Sequence, residues 1–278
     1  MTEPLKAAGM QAEDEQVEQA HAARRVRVIF LKLRAWCFPL LLLAGYEWYA
    51  RAVGKSSDAI APPTAALKAF VTAAGDGSLF SATAFTLGAA ALGLLLAAVL
   101  GITSGMVLGL SQRSARMAFF SIEVFRPVPS VALIPLAMLV FGFGLALEFS
   151  IVAFAAFWPL MILTQAAVQQ VEPRLLEVSH VLGLSPLQRA VKIILPAIVP
   201  RLFVALRLGV SVALVVAVTV EVAANPNGMG YAMMIAQQSM DPGLMLAWLF
   251  WIGVVGYFIN VAALKLERLV ARRMGVLA

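Results

Sequence analysis

The chain has 278 residues, of which 62% are apolar (AVILMFWYC) and 13% charged, with a mean hydropathy of +0.89. An ordinary soluble domain is about half apolar and about a quarter charged, and one of this length cannot hide so much apolar surface in a single core, so lipid must cover part of it. The net charge of +6 does not signal nucleic acid, because the Lys and Arg fall in short clusters between apolar runs, where they anchor helix ends at an anionic leaflet.

Residues 1–34 read as a cytoplasmic tail. It is polar and acidic as far as Ala23 and lacks the apolar stretch of a cleaved signal peptide. From Arg24 to Arg34 it turns basic and amphipathic, suited to lying on the membrane surface. The transmembrane domain follows over 35–278. Its first predicted span runs from Trp36 to about Ala52, with Trp36 near one interface and Trp48 and Tyr49 near the other. Cys37, in that span, is the only cysteine, which excludes an intrachain disulfide and a Cys-based metal site. Pro62-Pro63 marks a turn, and Ala65 to Val71 suits a short interfacial helix.

Thr83 to Leu110 is the second predicted span. Along it Ala89, Gly93, Ala97, Gly101, Gly105 and Gly109 recur at every fourth residue, a small-residue groove that lets another backbone approach closely. Packing within the bundle and a gating hinge both fit that pattern. Ser111 to Met117 reads as a loop carrying Arg113 and Arg116. Val131 to Phe143, preceded by Pro127 and Pro129 and interrupted by Pro135, reads as a third span with irregular ends, tolerable where protein surrounds it. Phe149 to Val168 is the fourth span, Leu202 to Ala224 the fifth and Leu244 to Leu264 the sixth, with a loop from Asn225 to Asp241. Six spans with both termini in the cytoplasm leave only Arg51, Lys55 and Lys68 of the 21 basic residues outside, in line with the excess of positive charge on cytoplasmic loops.

Between spans four and five lies the most informative segment, Glu177-Val-Ser-His-Val-Leu-Gly183-Leu-Ser185-Pro186-Leu-Gln188 through Ile193-Ile-Leu195-Pro196. It reads as helix, break, helix. Pro173 suits a first helical turn and Gly183 a left-handed C-terminal position. Ser185 then caps a second helix with Pro186 at its first position and Gln188 completing a capping box, and Pro196 ends that helix or kinks it. On local physics alone this is either an amphipathic connector or a rigid handle for a partner.

The spacing of Glu177, Gly183, Ile193, Leu195 and Pro196 resembles the EAA loop of binding-protein-dependent ABC importer permeases, with Val178-Ser179 in place of the usual Ala-Ala. The similarity covers about residues 61–270. It is strongest to the nitrate, taurine, alkanesulfonate and bicarbonate group through Arg126-Pro-Val-Pro, Phe141-Gly-Phe-Gly144 and Asn227-Gly-Met-Gly230-Tyr231. The resemblance implies an all-α permease of a type I importer in the bacterial inner membrane, with its coupling loop at 172–200. Glu177, Ser179, His180, Gly183, Leu184, Ser185 and Pro186 then serve ATPase coupling; the small-residue spacing by itself assigns Gly93, Gly101, Gly105 and Gly109 to helix packing.

It further implies two copies of the chain, two cytoplasmic ATPase subunits carrying ATP and Mg, and a periplasmic or lipid-anchored binding protein. The chain itself would bind no cofactor or metal and catalyse nothing, and it has no Gly-x4-Gly-Lys-[Ser/Thr] phosphate loop. The implied cargo is a small anion such as a sulfonate, taurine, nitrate, bicarbonate or an organic carboxylate. Glu221, Asn225 and Asn227 are candidates for the substrate path; Glu148 and Glu221 are expected where water or a partner can reach them. No Lys or Arg is expected near the midplane, which makes the path a weakly binding conduit. The rivals are an ion-coupled secondary transporter, which needs a protonatable cluster at membrane depth, a membrane enzyme with a His-rich site, and a channel.

Overall fold

A computed structural model describes residues 37–53 and 60–274. The tail predicted over 1–34 lies outside the described residues. All regular structure among the described residues is helical. The chain divides into two compact units, residues 1–65 and residues 66–278.

In the first unit, α1 (37–53) is an apolar helix whose C-terminal half carries a polar clasp. Glu47 accepts from the Arg51 Nε one turn on, and it also receives the main-chain N–H of Thr64 at 3.1 Å and its hydroxyl at 2.8 Å. The carboxylate thereby holds Thr64 in the first turn of α2 (Pro63–Gly75).

The second unit is built on α3 (Ser78–Leu110) and α6 (Leu145–Gln169), which lie against each other along their lengths. The small residues of α3 face α6. A Cβ added at Gly93 would stand 2.6 Å from Val152 Cβ, at Gly101 2.9 Å from Leu160 Cβ, at Gly105 2.7 Å from Thr164 Cβ, and at Gly109 2.6 Å from Val168 Cβ. Apolar association is weak between helices already in lipid, so close backbone approach and dispersion hold such a pair. The long helix α9 (Leu195–Ala223) packs across both, with Ala97, Ala156, Leu160 and Ala205 buried at their meeting point. α11 (Pro242–Arg273) joins α9 through an Arg207–Glu267 ion pair at 3.3 Å and α3 through a hydrogen bond from the Trp251 indole to Thr83.

Four helical stretches are long and apolar enough to cross a membrane: Ser78–Leu110, Leu145–Gln169, Pro186–Gln238 and Pro242–Arg273. A fifth is formed if the pair Gln112–Phe125 and Ser130–Phe141, bent by 80°, counts as one broken span. The first predicted span, Trp36 to about Ala52, falls on α1, and the sixth, Leu244 to Leu264, lies within α11. Two expected loops are helices instead. Residues read as a loop at 111–117 open α4 (Gln112–Phe125), because the Ser111 hydroxyl accepts from Ser114 N–H and caps it. A 3-10 turn (Ser130–Leu133) and α5 (Ile134–Phe141) follow, with Pro135 in the first turn of α5 rather than inside a span. The loop expected over 225–241 contains α10 (Gly228–Gln238). Its Asn, Pro and Gly look like turn residues, yet two of those glycines are there for close packing, as described below.

Candidate functional site

The segment between α6 and α9 folds into a tight elbow. α7 (Pro173–Val181) ends at Gly183, whose φ of +61° is left-handed, and Leu184 N–H returns to Ser179 C=O at 3.1 Å. That bond, spanning a left-handed glycine, is the outer half of a Schellman cap. The Ser185 hydroxyl then accepts from Gln188 N–H and the Gln188 side chain accepts from Ser185 N–H, so the capping box of α8 (Pro186–Arg189) is complete, with Pro186 in its first turn.

A π-helical turn (Ala190–Ile194) follows, and α8, this turn and α9 run on without interruption. Pro196 therefore neither ends the helix nor starts a separate one. It has no N–H for the Lys192 carbonyl, and the wider turn just before it, closed by Leu195 N–H on Ala190 C=O, accommodates that loss.

The elbow exposes apolar side chains in an otherwise polar segment. Val181 is 87% exposed and Leu187 74%, with Val178, Leu182 and Val191 beside them also exposed. Glu177, Gly183, Ser185 and Pro186 lie on the same exposed stretch, and Leu184 is half-buried. Ser179 is fully buried, and its hydroxyl donates to Leu176 C=O. It supports the inside of α7 and offers nothing to an outside partner. His180 belongs to α7, and its side chain lies outside the described set.

At the other end of α9, roughly 40 Å away along its axis at the usual rise per residue, a polar cluster is sealed from solvent. Glu221, Glu148, Asn225 and Thr86 are all 0% exposed. This corrects the expectation that Glu148 and Glu221 would be open to water or a partner. The Thr86 hydroxyl on α3 donates to Glu221 at 2.5 Å and accepts from Met229 N–H at 3.0 Å, while Gly230 N–H donates to Glu221 at 2.7 Å. Asn225 Nδ2 donates to Glu148 on α6 at 2.5 Å and also lies 3.4 Å from Gly144 C=O.

Only one oxygen of Glu148 is satisfied in this way; Oε1 is buried without a partner. Gly228 and Gly230 are needed here because a Cβ at either would run into the Glu221 side chain. Gly228 also takes a φ of +91°. The cluster thus ties α3, α6, α9 and α10 together at one end of the bundle. Asn227, the third predicted path residue, is exposed and donates to Asn225 Oδ1 at 3.4 Å.

No protonatable cluster at membrane depth is legible in the sequence, and the fold brings Glu148 and Glu221 together from two helices. Hydropathy windows cannot reveal such a meeting. The one local clue is that both carboxylates interrupt apolar helix ends, where an ionisable group is expensive unless it has partners.

Comparison with known proteins agrees with the helical bundle. The family model described as "Binding-protein-dependent transport system inner membrane component" matches residues 97–276. The aliphatic sulfonates transport permease protein SsuC of Escherichia coli (strain K12) is 31% identical over 89% of this chain and 94% of its own length. The taurine transport system permease protein TauC of the same organism is 28% identical over 74% of this chain and 77% of its own. Among solved structures, the inward-facing MetNI methionine ABC transporter superposes with a TM-score of 0.60 at 20% identity, covering 66% of this chain and 92% of that one, a likeness of fold. The chain belongs to the binding-protein-dependent transport system inner membrane component family, as a multi-pass permease subunit of an ATP-binding-cassette importer.

Proposed function

We propose that the chain works as a pair of copies, with both termini in the cytoplasm and the elbow of α7 and α8 seated on a separate ATPase subunit that carries ATP and Mg. The chain itself binds no cofactor. The exposed Val181, Leu182 and Leu187 give the ATPase an apolar knob to hold, and Glu177 supplies a charged contact at its edge. Closure of the ATPase pair on ATP moves the elbow, and an external binding protein delivers the cargo.

The observation that carries this reading is the unbroken run from α8 through the π turn into α9. A push on the elbow needs no flexible joint to reach the bundle, and α9 ends in the sealed cluster that clamps four helices. Two arrangements of that cluster, clamped and released, correspond to the two faces of an alternating-access cycle. The cargo we propose is a small anion of the sulfonate and taurine kind, supported by the relatives that share most of the chain's length.

The buried carboxylates are the one observation that favours an ion-coupled carrier instead. The two readings part in proteoliposomes holding the permease, its ATPase and its binding protein. Uptake should require internal ATP and persist when the proton gradient is collapsed, and substituting a related binding protein should change which anion is taken up. Uptake driven by a gradient without ATP would overturn the importer mechanism.

A further inference from the structure

A cavity of about 540 Å³ opens at mid-height of the second unit, apart from both the elbow and the carboxylate cluster. Arg126 and Ser130 reach it from the bend between α4 and the 3-10 turn, Phe154 and Trp158 from the middle of α6, and Leu208 and Val212 from the middle of α9. Arg126, an exposed residue, stands at the 80° bend between Gln112–Phe125 and Ser130–Phe141 and lines this cavity.

The polar groups of this cavity are donors. Among the described residues the Arg126 guanidinium has no ion pair or hydrogen bond. The Trp158 indole N–H is buried without an acceptor, its ring held edge-on by Phe154 and Phe157 at 5.8 and 5.0 Å. Ser130 adds a hydroxyl, and no carboxylate lines the wall. A buried indole N–H without an acceptor is costly, and an oxyanion that accepts from it can also pair with the exposed Arg126 guanidinium. The remaining wall is aromatic and aliphatic, and the volume lies within the range of small-molecule sites, with room for an acid head and a body of several carbons. Pro159, also in the wall, offers no N–H to the Ala155 carbonyl, so α6 can flex there without breaking that main-chain bond.

We infer that this cavity is a transit site for a small organic monoanion, its acid head held by Arg126, Ser130 and the Trp158 indole N–H and its hydrocarbon part lying against Phe154, Leu208 and Val212. The inference rests on the anion reading above and narrows it: a bare inorganic oxyanion leaves the apolar wall unfilled. The cavity gives the path a site of its own, and discrimination is then shared between the binding protein and the permease.

The test uses the permease–ATPase complex purified in detergent without its binding protein, titrated with hexanesulfonate, nitrate, hexylammonium and dodecyl phosphate, with binding read by equilibrium dialysis and by tryptophan fluorescence. Hexanesulfonate should bind more tightly than nitrate, hexylammonium should not bind, and Trp158→Phe should abolish the fluorescence change. Arg126→Gln should weaken hexanesulfonate by about tenfold, the scale of one charge-assisted hydrogen bond, Arg126→Lys should recover part of that loss, and Arg113→Gln on the exposed face of α4 should change nothing. Equal binding by Arg126→Gln and wild type in equally folded preparations, binding of hexylammonium, or no binding of any sulfonate by wild type would each overturn the inference. Binding of dodecyl phosphate alone would assign the cavity to a lipid headgroup and overturn it too. Association and ATP hydrolysis by the ATPase subunit are measured in the same samples. If the ATPase associates while Arg126→Gln binds normally, only the transit site falls; if binding depends on Arg126 but no ATPase associates, the importer mechanism falls and with it the transit role.

Discussion

Two residues show how much a single position contributes here. Asn225 donates through its side-chain amide to the buried Glu148 carboxyl. Asn225→Ala removes that donor, and leaving a buried polar or charged group without a partner costs about 2–4 kcal/mol. Thermal unfolding of the purified complex should fall accordingly, and Glu148→Gln in the same background should recover part of the loss. An unchanged transition in Asn225→Ala would mean that the cluster does not clamp the bundle.

Gly183 makes the opposite point, since an added Cβ meets nothing within 4 Å and only its φ of +61° restricts it. A left-handed position accepts asparagine at little cost but costs β-branched residues about 1–2 kcal/mol. Gly183→Asn should therefore transport nearly as wild type, whereas Gly183→Val should reach the membrane at normal levels and lose coupled uptake. Loss in both variants would point to a steric contact with the partner rather than to backbone conformation.

At the scale of elements, the α3–α6 contact and the elbow differ in how openly the sequence declares them. Gly88 and Gly93 lie five residues apart on α3, but a Cβ at Gly88 meets open space while one at Gly93 overlaps Val152. Gly93→Ala should lower stability by about 1–3 kcal/mol, the cost of overpacking, and Gly88→Ala should leave it unchanged or slightly raise it. Equal effects in thermal unfolding would argue against close approach of the two helices.

The elbow could be read in advance because its chemistry is local. Ser185, Pro186, Gln188 and the left-handed Gly183 specify their own caps within a few residues. The sealed cluster could not, because Thr86, Glu148 and Glu221 come from three helices far apart in sequence, and neither periodicity nor hydropathy records which helix ends meet. α10 was hidden for a related reason: Gly228 and Gly230 carry a turn signature, yet they are glycines because the Glu221 side chain occupies the space where their Cβ atoms would go. Pro196 leaves two alternatives open, an end or a kink, and the end is ruled out. A proline signals a break, but a single π turn absorbs it and lets the helix continue.

At the scale of the whole molecule, these parts form one line of transmission. The elbow offers an exposed apolar knob, α8 and α9 are continuous, and the far end of α9 is locked to α3, α6 and α10 by hydrogen bonds. Binding energy released at the elbow can act on the bundle only if the elbow lies on the ATPase side and touches that subunit. The direct measurement replaces Cys37, the only cysteine, with serine, introduces Leu187→Cys, and asks what the new thiol can reach. Cross-linking to the ATPase subunit, together with protection from a membrane-impermeant thiol reagent added outside intact cells, is the predicted result. Labelling of Leu187→Cys from outside, or no cross-link in a complex that still hydrolyses ATP, would contradict it.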